Sequence, residues 1–309
     1  MTTVLRRATR WNRPLMFLVS VMAVLGVVAV VGILVDPRVL TGAPIWLKPF
    51  KFALSFVLYG ATLAWMLSLL PRRSRAVETA VVIIVAVAVV ENAWIVGQVI
   101  RGQASHFNDS TPLNTALFAV MGAAIMVLFF AHLVIGIVVL IQRIPDRVAA
   151  TAVGWGLGLS LLGMLAAVPM ALPMQDPGIE GIGGAHSVGV PDGGPGLPIV
   201  GWSTTGGDLR IGHFVGLHAL QALPILAILL SRFATRLDER TRVRLLVVAG
   251  GAYGVLTVLL TWQALRGQPL LRPDAGTLAA VAALVVATAA SVTGVVLARR
   301  RRPELALAA

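Results

Sequence analysis

The chain has 309 residues, of which 58% are hydrophobic and only 12% charged, and a water-soluble fold has no place for that much apolar surface. The class is an all-α integral membrane bundle. The absence of cysteine excludes disulfides, thiolate catalysis, iron–sulfur clusters and Cys-zinc sites, and the net charge of +12 sits mostly in short basic runs beside apolar segments, where it sets topology and does not speak for nucleic-acid binding.

A basic start (Arg6, Arg7, Arg10, Arg13) leads into an apolar run from about Leu15 to Val35. No A-x-A cleavage site follows, so the run reads as a first membrane helix and not as a removed signal peptide. Since a span needs about 20 mostly apolar residues, eight stretches qualify: 15–35, 47–70, 79–100, 115–141, 149–172, 211–231, 243–265 and 276–298. With eight spans, 18 of the 25 Lys plus Arg fall on one side: the N-terminal tail, the 71–78, 142–148 and 232–244 loops, and Arg299 to Arg302. The positive-inside rule then predicts a multi-pass protein of the cell (inner) membrane with both termini in the cytoplasm. The long connection from about Pro173 to Arg210 is rich in Gly and Pro and lies outside, as a lid over the outer face or as a tether. His186 within it is expected to be solvated.

The sequence also repeats itself. Gln98-Val-Ile-Arg101-Gly-Gln103 ends the third span and Gln263-Ala-Leu-Arg266-Gly-Gln268 ends the seventh, at an offset of 165 residues. The same offset carries Lys48 onto His213. Asp36-Pro37 after the first span echoes Asp176-Pro177 after the fifth. An even number of spans per half gives a 4+4 tandem, parallel repeat, with residues 1–148 as the first four-helix half and 149–309 as the second.

Three spans carry unusual polarity. The second opens Ile45-Trp-Leu-Lys-Pro-Phe-Lys51 and holds the only two lysines of the chain. Pro49 suits a first helical turn, so Lys48 and Lys51 sit at the outer helix N-terminus, where their field attracts an anion. Lys48, Lys51, Ser55 and Tyr59 recur on one face. The third span places Glu91, Trp94, Gln98 and Arg101 on one face, with Glu91 about 15 Å below Arg101. A carboxylate at that depth needs a partner, water or a proton. The sixth opens on Asp208, a helix cap, and Arg210, and continues to His213, His218 and Gln221. Five-residue spacing does not stack the two histidines, and no metal site is expected. His132, alone in the inner half of the fourth span, is expected to be a hydrogen-bonded structural residue. His106 belongs to a polar outer loop.

The Q-x-x-R-G-Q ending, the Lys48-Pro-Phe-Lys51 start and the Ser105-His-Phe-Asn108 loop resemble a bacterial multi-pass membrane protein family of unassigned function, which implies insertion but no activity. The eight-span, four-plus-four plan also looks like haem A synthase, whose haem histidines pair on even-numbered helices of each half. Here the eighth helix has no His and the second has Lys48 instead.

The expected site is a polar funnel open to the outside. Its rim is Lys48, Arg101, Asp208, Arg210 and His213; its middle is Lys51, Gln98 and His218; its floor is Ser55, Glu91 and Gln221. Lys51 is the expected counter-charge of Glu91, with His218 as the alternative. Such a funnel suits a small anionic or lipid-headgroup ligand, for transport or sensing. The rival readings are a haem-binding or catalytic enzyme using His213 or His218, and an accessory subunit whose polar groups only join helices.

Overall fold

The computed structural model describes residues 12–172 and 180–307. Arg6, Arg7 and Arg10, together with the Asp176-Pro177 echo, lie outside the described residues. Among those described, eight helices are long and apolar enough to cross a membrane. They are α1 (Arg13–Val35), α2 (Leu47–Ser68), α3 (Arg75–Arg101), α4 (Pro112–Gln142), α5 (Arg147–Leu165), α6 (Leu209–Phe233), α7 (Glu239–Leu265) and α8 (Ala275–Leu307). A single turn, Val168–Ala171, prolongs α5 after a break. Pro169 accounts for that break, because its ring cannot continue a helical ladder.

Local chemistry sets most of the helix starts. The Asn12, Thr111, Asp146, Asp208 and Asp238 side chains each accept a backbone N–H of the first turn, satisfying donors that a helix leaves orphaned. Pro lies in the first turn of α1 and α4. Helices α2 and α3 start after Trp46 and Ser74 with no side-chain cap.

The helices pack in a chain of neighbours. Helix α1 lies along α2, α3 along α4, α5 along both α6 and α7, and α8 along α7. One apolar core joins α1 to α6 through Leu15, Leu63, Ile84, Ile135, Leu157 and Leu220. A second joins α5, α6 and α7 through Leu159, Ala219, Leu223 and Leu246. Helix α5 meets α6 backbone to backbone: a Cβ added at Gly163 would stand 2.3 Å from the Leu217 nitrogen. Only glycine permits that backbone contact.

The two halves differ most in one pairing. Helices α6 and α7 lie against each other along much of their length, whereas α2 and α3 touch little. A repeat copied without change would pack both pairs alike. The cause is visible in side chains related by the 165-residue offset. Gly212 and Gly216 of α6 meet Thr261 and Thr257 of α7, with an added Cβ at Gly212 only 2.1 Å from Thr261 Oγ1. The corresponding residues of α2 are Leu47 and Lys51, and those of α3 are Val96 and Asn92.

The two Q-x-x-R-G-Q motifs form the same kind of clasp. Gly102 and Gly267 both end their helices with positive φ, 69° and 71°. The Gln98 amide donates to the carbonyl of Ala104, and the Gln263 amide to that of Pro269, each six residues on. Arg101 reaches Asn114 in the first turn of α4; Arg266 reaches Asp274 and Thr277 at the start of α8. Gln103 accepts from Asn114, and Gln268 from Thr277.

Residues 180–208 fold over the end of the bundle formed by the α2 and α6 N-termini and the α3 and α7 C-termini, here called the loop end. Ser187–Val188 (β1) pairs antiparallel with Gly207–Asp208 (β2). Backbone bonds join Gly183 to Phe107, Ala185 to Met170 and Leu209 to His186. Gly207 touches the last turn of α7, where a Cβ would meet the Ala264 carbonyl at 2.0 Å. The described part of the connection is therefore a lid and not a loose tether.

Candidate functional site

Beneath the lid, titratable side chains from five segments meet. Helix α2 supplies Lys48 and Lys51, α3 supplies Glu91, the α3–α4 connection supplies His106, the lid supplies His186 and Asp192, and α6 supplies Asp208 and Arg210. Lys48 is in electrostatic reach of Lys51, Glu91, Arg210 and Asp192.

Glu91 is 3% exposed. Its Oε1 lies 4.0 Å from His106 Nε2, a separation that one water bridges. Its Oε2 is buried and has no hydrogen-bond partner among the described residues, as is true of Asn92 Oδ1 and Trp94 Nε1 nearby on α3. An orphaned buried oxygen costs about 1–3 kcal/mol, more when charged, so a group left this way calls for a functional account. The nearest charge is Lys48, not the expected Lys51. Lys51 donates to the Val200 carbonyl of the lid at 3.3 Å instead. His218 bonds Gln221 and is not beside Glu91.

Among the described residues neither lysine ammonium forms an ion pair. The Lys48 ammonium makes no hydrogen bond among the described residues either. Asp208 and Arg210 are matched to each other. Asp208, fully buried, caps α6 through the Arg210 N–H and accepts from the Arg210 guanidinium and the Ser203 N–H. Arg210 also donates to the Gly201 carbonyl. The pair therefore ties the lid to α6 as much as it forms a rim.

His106 and His186 are the residues that sequence reasoning undervalued. His106 packs its ring edge-on to Phe52 of α2 and to Phe107, and Phe107 in turn meets His186. Its Nδ1 is hydrogen-bonded to Ser105 Oγ at 3.1 Å. Burial, with Lys48 and His186 near, holds the His106 imidazole well below its usual pKa, so it is neutral at pH 7. His186, expected to be solvated, is half-buried and partnered: its Nδ1–H donates to Asp192 at 2.7 Å. Burial lowers the His186 pKa although the Asp192 bond opposes this. For Asp192, burial alone would raise the pKa. Bonds from the His186 ring, the His186 N–H and the Ser187 N–H outweigh it and hold the carboxylate well below its usual range. The Ser105-His-Phe-Asn108 loop carried a signal for this site through its density of polar groups; nothing local marked His186.

Several expected funnel residues do other work. Gln98 and Arg101 belong to the α3–α4 clasp, bonded to Asn114, and Arg101 is exposed. Gln221 donates to Thr62 and so joins α6 to α2. Ser55 is half-buried one turn below Lys51 and makes no hydrogen bond among the described residues. The funnel, expected to be open, is roofed by the lid. His213 turns to α5, its Nδ1–H donating to the Gly163 carbonyl at 2.7 Å, while His218 turns toward Gln221. The two do not face one slot, and beside His213 the α5 and α6 backbones touch, leaving no room there for a porphyrin between them. Among the described residues no group of three His, Asp or Glu gathers to hold a metal. His132 bonds Tyr59 and Ser160, a closed network between α2, α4 and α5.

Comparison with family models, with curated proteins and with solved structures brings no match to this chain.

Proposed function

We propose that the chain is a polytopic inner-membrane protein that binds a small anion or anionic lipid headgroup beneath its lid, for transport or sensing. The observation that carries this is the pair Lys48 and Lys51: adjacent on one face of α2, at a helix N-terminus, under a folded lid, and neither ion-paired. A phosphate or carboxylate held there gains charge-assisted hydrogen bonds and the helix dipole. The lid, fastened by Arg210 to Gly201 and by Lys51 to Val200, gates entry. The loop end faces outward and both termini face the cytoplasm, supported by the 18-to-7 split of basic residues. The matching clasps on α3–α4 and α7–α8 support a 4+4 repeat whose halves have since diverged at α2–α3.

The test uses purified protein in detergent with short-chain phosphatidylglycerol. Binding should be saturable, and lost in Lys48→Met/Lys51→Met while the melting temperature is kept. Equal binding by this double variant refutes the site. Because the chain has no cysteine, single cysteines at positions 72 and 190 report orientation directly. Position 190 should label from outside intact cells and position 72 should not; the reverse result overturns the topology.

A further inference from the structure

The charges beneath the lid are balanced without a ligand. Lys48, Lys51 and Arg210 stand against Glu91, Asp192 and Asp208, with His106, His186 and His213 around them. Three of these six charges are fixed by partners: Asp208 and Arg210 hold each other, and Asp192 is held by His186 and Ser187. The two lysines are the cations the anion would meet. Glu91 alone is a buried carboxylate with one oxygen unpartnered and its other oxygen a water's width from an imidazole.

We propose that Glu91, with His106 beside it, is a proton site coupled to the anion: each monoanion that enters is accompanied by one proton taken up by this pair. The coupling rests on the anion site proposed above and gives it a chemistry. A monoanion entering a balanced, water-poor site leaves one uncompensated negative charge, which is costly at low dielectric. It also cancels the field of Lys48, the nearest charge keeping Glu91 ionised. One proton from a buffer acid then forms an O–H bond on the Glu91 carboxylate, while the acid's own bond to that proton breaks and its conjugate base stays in solution. The site is neutral again and no electron moves. His106 is the positioning residue. Its ring is fixed between Phe52, Phe107 and Ser105, with Nε2 toward Glu91, so it can pass the proton between the carboxyl and the lid side, where His186 and Asp192 lie.

Isothermal titration calorimetry of the detergent-solubilised full chain, in buffers of differing ionisation enthalpy, counts the protons. The probes are dimethyl phosphate, a free phosphodiester monoanion, and dihexanoyl phosphatidylglycerol, the same chemistry on a lipid. About one proton should be taken up per anion, and affinity should fall by up to about tenfold per pH unit as pH rises. Glu91→Gln, which keeps the shape, should bind the anion more tightly at high pH and take up no proton. Uptake with both probes assigns the site to phosphate chemistry itself; uptake with the lipid alone assigns it to a headgroup. Binding without proton uptake, or uptake that persists in Glu91→Gln, overturns the coupling and leaves the anion site standing. Binding of neither probe overturns the anion site and the coupling together.

Discussion

Helix pairs α2–α3 and α6–α7 end in the same motif and meet the same kind of clasp, yet one pair is open and the other closed. In α6–α7 the facing residues are small: Gly212 and Gly216 against Thr261 and Thr257. In α2–α3 the residues at the same offset are Leu47, Lys51, Val96 and Asn92, with Glu91 beside Asn92 where α7 has Leu256. Glycine lets backbones approach and gain dispersion contacts along their length. Lysine and glutamate hold them apart, and the space between is polar. The closed pair is where packing has been satisfied. The open pair retains orphaned atoms on Glu91, Asn92 and Trp94, which stability alone would have removed.

That contrast can be broken from either side. The largest expected effect is on the closed pair. Gly212→Leu drives a side chain into Thr261 and should cost about 1–3 kcal/mol or more, read as a lower unfolding midpoint in detergent; an unchanged midpoint means that α6 and α7 are not held by this contact. On the open pair, Lys48→Met should weaken phosphatidylglycerol by about 10- to 100-fold, the worth of about 1.5–3 kcal/mol for a charged hydrogen bond, with the midpoint kept. The clasp sharpens the comparison, since it is equally polar but fully partnered. Asn114 accepts from Gln98 and Arg101 and donates to Gln103. Asn114→Ala should cost about 1–3 kcal/mol of stability by stranding those groups and leave anion affinity alone; a loss of affinity would place the clasp in the site.

Smaller effects come from Glu91 and the lid. Glu91→Leu removes an unsatisfied oxygen, so stability should be equal or slightly higher, whereas proton uptake vanishes. A marked loss of stability would make Glu91 a structural residue. Acid should loosen the lid. The His186 and Asp192 pKa values both lie below their usual ones, so the stability they contribute is present above those usual values and lost as pH falls through the depressed ones. Protease cleavage within 180–208 should therefore rise on acidification from neutral pH. Asp192→Asn should already be more cleavable at pH 7. Cleavage that does not change with pH would mean that this pair does not fasten the lid.

The sequence by itself determined the eight helices, because hydropathy over 20 residues is local and strong. It also marked the cap at Asp208 and the likeness of the two Q-x-x-R-G-Q ends. It marked Glu91, Lys48 and Arg210 as unusual, since charge in an apolar stretch needs no partner to be conspicuous. Which residues face each other was decided only in three dimensions. Helical periodicity gives a face and a depth but not the neighbour across the gap, so Lys51 was matched to Glu91 where Lys48 and His106 stand instead. Gln98 and Arg101 share a stripe with Glu91 yet turn to α4, because Asn114 lies in the first turn of the next helix and takes their hydrogen bonds. His186 carried no local signal at all. A Gly- and Pro-rich stretch reads as solvated until tertiary contacts with Phe107, Asp192 and the α7 end fold it down. The lid, and with it the closed character of the site, is a property of those long-range contacts alone.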